Sequence, residues 1–256
     1  MAKLPALVTA LAEVDGRDHA TIDYYARVIR EAGYIPTTKR GSGAAEMTAR
    51  EAANLLIALC GTDSPKDAPL AIDRFRTLVR DYGWTRPKGT ELPGLQAAAE
   101  STTFGEALEH LINNAPLLAG AIGFFVLQGY RDLSDKARRG LLRQALKPAG
   151  VCVPAGLSIT FHRYAAEIVL WSSQRGGQER EWQTRFLADV SRLEAGFYGP
   201  QEHDRRVAVI VGLPTLLALY RALNPDTETP NTEIAGEEPE VARLGGAPGP
   251  EKEFDQ

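Results

Sequence analysis

Cysteine is nearly missing from this chain, with two residues, Cys60 and Cys152, among 256. They stand far apart and share no metal-type spacing, so each reads as a small core hydrophobe rather than part of a disulfide framework. The four histidines, His19, His110, His162 and His203, are as scattered, and no metal site is expected from them. Long apolar runs are missing too. The most apolar stretch, Leu117 to Leu127, spans 11 residues and contains Gly120 and Gly123, too short for a membrane span. The start, Met-Ala-Lys-Leu-Pro, has no apolar run behind its lysine, so no secretory signal is visible and a cytoplasmic location is expected. There is no Gly-x-Ser-x-Gly elbow, no Walker loop and no Rossmann fingerprint. Carboxylates such as Glu106, Glu109, Glu167 and Asp189 show no motif spacing. The expectation is a protein without catalytic residues, cofactor or metal.

Positive charge is in slight deficit overall, 29 Lys and Arg against 33 Asp and Glu, a net of −4 that would argue against a phosphate-rich partner. The deficit is local. Residues 1–88 carry 13 cations and 11 acids, net +2; residues 89–224 carry 14 and 13, net +1; residues 225–256 carry 2 and 9, net −7. The last segment also holds five prolines, four glycines and almost no aromatics. Too little apolar surface is available there to offset ordering entropy, so 225–256 reads as a disordered acidic tail. Its bland reading is a solubilising extension; the alternative is an acidic lure for a partner.

Four segments follow from composition: a module over 1–82, a linker over 83–101 marked by Gly83, Pro87, Gly89, Pro93 and Gly94, a domain over 102–224, and the tail. The module is helical by period. Leu4, Leu7, Val8 and Leu11 predict a first helix ended at Asp15-Gly16, and Ile22, Tyr25, Ala26, Ile29 and Ala32 a second, stopped by Gly33. Thr37-Thr38-Lys39-Arg40-Gly41-Ser42-Gly43 is polar, basic and glycine-rich. Thr48 caps a helix from Ala49 to Leu59, and another runs from Leu70 to Tyr82. In the third segment helices are expected over 103–112, 133–146 and 214–223. Leu157–Trp171, Arg180–Val190 and Arg205–Val211 read as strands, the first two joined by a hairpin at Gly176-Gly177. The fold class expected is α+β, a mixed helical and antiparallel-sheet domain behind the helical module. Trp171 and Trp182 are either a core pair or an exposed patch. Lys136, Arg138, Arg139, Arg143 and Lys147 lie on one helix against Asp135 alone, a solvated face or a second phosphate-contacting surface.

Over residues 4–60 the order helix, turn, helix, glycine stop, strand, basic glycine loop, strand resembles a winged helix-turn-helix. The segment that carries the resemblance best is Ile29-Arg30-Glu31-Ala32-Gly33-Tyr34-Ile35, an amphipathic helix leaving through glycine into a wing over Ile35–Met47. The layout is similar to DNA-binding proteins of bacterial chromosomes and prophages. It implies double-stranded DNA as partner, with the second helix in the major groove and the wing beside it.

Elementary geometry points the same way, because a helix fits the major groove and its first two turns reach base edges. With Ile22, Ala26 and Ile29 inward, Thr21, Tyr24 and Arg27 face outward as base readers. Arg17 and His19 in the preceding turn, and Lys39, Arg40 and Ser42 in the loop, are placed to hold phosphate. Arg27 is alternatively paired with Asp23 on a solvated face. Residues 17–50 hold six cations against four acids. So modest an excess implies weak binding by a single copy, and self-association is expected. A transcriptional regulator is the leading reading. The alternatives are a phage replication or packaging adaptor with nonspecific attachment, and a protein–protein scaffold, with the middle domain or tail meeting a protein partner.

Overall fold

A computed structural model describes residues 3–37, 45–82, 86–87, 93–145, 155–174, 177–188 and 208–226. Its class is α+β: helices packed beside one antiparallel sheet.

The chain opens with α1 (Leu4–Asp15), which starts on a proline and buries Leu7, Val8 and Leu11. Gly16 ends it in the left-handed region at φ 82°, and two residues later α2 (His19–Glu31) begins. Ile22, Tyr25, Ala26 and Ile29 form its buried stripe, while Ala32 lies exposed beyond its end. Gly33, at φ 90°, turns the chain out of the helix: its N–H bonds to the Arg30 carbonyl and that of Tyr34 to the Ile29 carbonyl, the paired bonds of a Schellman stop. Helix α3 (Ala49–Cys60) starts on a reciprocal Thr48–Glu51 capping box and is buried almost throughout, as befits the central helix of the cluster. Helix α4 (Ala68–Arg76) follows.

Two stretches between the expected segments are themselves ordered. The helix expected over Leu70–Tyr82 ends at Arg76, where Thr77 turns its hydroxyl back onto the Asp73 carbonyl, and the chain goes on into strand β1 (Val79–Arg80). After β2 (Arg86–Pro87), α5 (Pro93–Glu100) lies inside the span read as a linker and buries Leu95 and Ala98. Helix α6 (Phe104–Asn113) has a second capping box, Thr103 with Glu106. The apolar stretch too short for a bilayer belongs to α7 (Ala115–Gly129), which buries Leu118, Ile122 and Val126. Then comes α8 (Asp135–Ala145), with Ser134 accepting from the Ala137 N–H at its start.

The sheet contains β3 (Ala155–Phe161), β4 (Ala165–Gln174), β5 (Gly177–Leu187) and β6 (Val209–Gly212), in the order β1-β5-β4-β3-β6, with β2 also on β5 and every pairing antiparallel. The run expected as a single strand over Leu157–Trp171 is two strands. They turn at His162-Arg163-Tyr164, where the His162 N–H bonds to the Ala165 carbonyl. No glycine or proline marks that turn, so the sequence carries no punctuation between the two strands. The second hairpin lies where expected, with Gln174 opposite Gly177. Helix α9 (Leu213–Leu223) then returns to pack on α1.

One face of the sheet, including Leu157, Ile159, Phe161, Ile168, Leu170, Trp182 and Phe186, is buried. The two tryptophans are therefore split between faces: Trp182 is core, while Trp171 lies over Gly156, where any Cβ would meet its ring at 2.8 Å. Phe104 of α6 packs against Phe75 of α4, Phe161 of β3 and Phe186 of β5, with ring centroids 5.4–6.4 Å apart. The helical module and the sheet thus share one continuous core rather than meeting across a linker. Beyond Asp226 the acidic tail lies outside the described residues.

Candidate nucleic-acid interface

The turn between α1 and α2 is fixed by its own side chains. Asp18 caps α2: its carboxylate accepts from the Thr21 N–H at 2.7 Å and from the Thr21 hydroxyl at 2.8 Å. Those bonds hold its carboxyl below the ordinary aspartate value, the backbone N–H first among them. Arg17 is half-buried and fully engaged. Its guanidinium forms a two-point pair with Asp15, donates to the Leu59 carbonyl at 2.9 Å, and sits 5.8 Å from the centre of the Tyr25 ring. The bond with Asp15 raises its already high pKa further. Tyr25 in turn donates to the Thr62 carbonyl at 3.2 Å. The start of α2 is therefore clamped to the C-terminal end of α3.

The other end of α2 is held as firmly. Tyr34 donates to the Asp73 carboxylate at 2.6 Å, and burial with that bond pushes its phenol up to about 12. The Tyr34 carbonyl accepts from Asn54, a buried polar side chain whose own oxygen accepts from Arg76 at 2.9 Å, and Arg76 is ion-paired with Glu109 on α6. Ile35 and Met47 are both buried, so the segment between them is anchored at each foot beside α2 and α3.

Of the residues singled out in the sequence, His19, Thr21, Tyr24 and Arg27 all lie on α2. Tyr24 is 48% exposed and belongs to the outward face with Arg27. Arg27 pairs not with Asp23, as its spacing allowed, but with Glu31 one turn on, at 2.8 Å and with both side chains about 60% exposed. That bond raises its pKa. Asp23 lies at the same separation, but its side chain is one methylene shorter. Thr21 is occupied by Asp18, and exposed His19 has the Thr9 hydroxyl at 3.5 Å. Arg17 is turned inward; the carboxylate that takes it, Asp15, stands two residues away in the sequence.

Lys39, Arg40 and Ser42 lie in 38–44, outside the described residues. The described residues on either side, 34–37 and 45–48, are not strand, so a paired wing over Ile35–Met47 is not present among the described residues.

Other chemistry finds little footing. Cys60 is buried and its thiol is pushed up to about 12 by burial, which makes it a poor nucleophile; Cys152 lies outside the described residues. Among the described residues no cluster of His, Cys, Asp and Glu is placed to hold a metal ion, and no helix is long and apolar enough to cross a membrane. A groove of about 570 Å³ between α1 and α9 is lined mainly by small apolar side chains such as Ala6, Ala10, Leu217 and Ala218, with Glu13 and Arg221 as its charged members. No family of known proteins, no curated protein and no solved structure matches this chain.

Proposed function

We propose that the chain is a duplex-DNA-binding protein of regulatory type that presents the outward face of α2 to the major groove. One observation carries the reading: α2 is clamped at both ends to α3 and α4 by Arg17, Tyr25 and Tyr34, while its opposite face, with exposed Tyr24 and Arg27, is open to solvent among the described residues. A helix held rigidly at the surface with one free polar face suits insertion into a groove about 12 Å wide. Tyr24 and Arg27 would meet base edges. His19 at the first turn, with Lys39 and Arg40 between Ile35 and Met47, would meet backbone phosphates. Arg17, bonded to Asp15 and Leu59, belongs to the folded support of α2 and not to the DNA contact.

Selection of fragments from a genomic library by the purified full-length protein tests this. Recovery of a common sequence, with binding lost in Tyr24→Ala/Arg27→Gln and weakened on every duplex in Lys39→Ala/Arg40→Ala, is the expected result. A specificity ratio near unity would make the protein a nonspecific attachment factor for DNA processing. Failure to bind mixed duplexes at low salt would leave the α2 face as a contact for another protein.

A further inference from the structure

Helix α8 carries the other concentration of positive charge, and there the cations are arranged differently. Leu142 is buried and Leu141 half-buried against α7, with Arg138 on the same inward side; the Arg138 guanidinium pairs with Asp135. At 100° per residue, Lys136, Arg139 and Arg143 fall together on the opposite side, spaced three and four residues apart. All three are exposed, and none makes an ion pair among the described residues. Asp135, the one acid within α8, is taken by Arg138. Gly140 lies between them, exposed and with nothing within 4 Å of where a Cβ would stand. The result is an unneutralised cationic stripe running about 10 Å along the helix.

We infer that this stripe of α8, Lys136, Arg139 and Arg143, is a second DNA-contacting surface that binds the phosphate backbone of the duplex. The inference rests on the DNA-binding reading of α2 and adds to it a surface that supplies affinity without sequence. The chemistry favours a phosphate backbone over a lipid surface. A helix that lies in a membrane interface turns apolar side chains outward, whereas here Leu141 and Leu142 face α7 and the outward side is cationic with glycine. Cations without an ion pair among the described residues lose none of those pairs on meeting phosphates, and each phosphate neutralised releases condensed counterions.

The test is the salt dependence of duplex binding by the full-length protein and by Lys136→Gln/Arg139→Gln/Arg143→Gln, with Lys66→Gln, an exposed lysine elsewhere, as control. Circular dichroism melting confirms that each variant is folded. The expected result is an affinity about tenfold or more weaker at 0.1 M salt, a slope of log K against log salt shallower by about two to three, and no change in the sequence preferred. An unchanged slope in a folded triple variant, beside a wild type that binds, overturns this inference and leaves the α2 reading standing. A wild type that binds no duplex overturns both. Binding of the wild type to vesicles rich in anionic lipid but not to DNA, lost in the triple variant, also overturns it, in favour of a membrane surface.

Discussion

Helices α2 and α8 are both amphipathic and both carry arginines, two against two acids in α2 and, with Lys136, four cations against one acid in α8, and the molecule uses those cations in opposite ways. In the α2 region Arg17 is bonded to Asp15 and Leu59, and Arg27 to Glu31. Among the described residues of α8, Arg138 on the packed side is matched, while Lys136, Arg139 and Arg143 are exposed and make no ion pair. Counting arginines on a helix measures charge; which of them can meet a phosphate depends on the carboxylates and carbonyls that three-dimensional packing brings within reach. On the proposed reading, α2 serves orientation and readout, and α8 electrostatic attachment.

Helices α2 and α8 belong to one folded body with a continuous core, and disrupting that core has the largest expected effect. Phe104 joins the helical module to the sheet through three other aromatic rings. Phe104→Ala should cost about 3–5 kcal/mol, with far-UV and near-UV signals falling in one denaturant transition. Two separate transitions, with helical signal outlasting the aromatic signal, would restore two independent modules joined by a linker. A smaller effect separates the structural from the contacting cations. Arg17→Ala removes a carbonyl bond and the pair with Asp15, and should lower stability by about 1–2 kcal/mol. Duplex affinity at full folding should stay within about twofold. Loss of affinity at unchanged stability would make Arg17 a phosphate contact after all. The α8 triple variant should show the reverse pattern, stability within about 0.5 kcal/mol of wild type and affinity lost.

How much of this was legible in the sequence follows from what is local. Periodicity and capping are local, so α1, α2, α3, α6, α8 and α9 and the hairpin at Gln174–Gly177 could be read from residue spacing, Thr48 and Ser134. The shared core was not legible. Gly83, Pro87, Gly89, Pro93 and Gly94 punctuate a stretch that nonetheless holds a helix, because Leu95 and Ala98 are buried in a core to which α6 and α7 pack. The turn at His162–Tyr164 left no glycine or proline to see. At the candidate site, the outward placement of Tyr24 and Arg27 followed from the helical period. The capture of Arg17 by Leu59, across 42 residues, had no local sign.

The smallest expected effect bears most directly on the difference between the two helices. Arg27 is matched by Glu31 on the solvent face, whereas the α8 stripe has no such partner among the described residues. Replacing Glu31 by Gln keeps size and helix propensity but removes the carboxylate that competes with a phosphate for Arg27. If α2 faces duplex DNA, Glu31→Gln should bind about two- to fivefold more tightly at low salt, with the gain fading as salt rises and screens the freed charge. The matching change on α8, Asp135→Asn, frees Arg138, which lies on the packed side, so its gain should be smaller. Fluorescence anisotropy of a labelled duplex over a salt series measures both. Equal affinities for wild type and Glu31→Gln, beside a clear loss in the α8 triple variant, would mean that phosphates meet α8 alone and that α2 is held at the surface for some other contact.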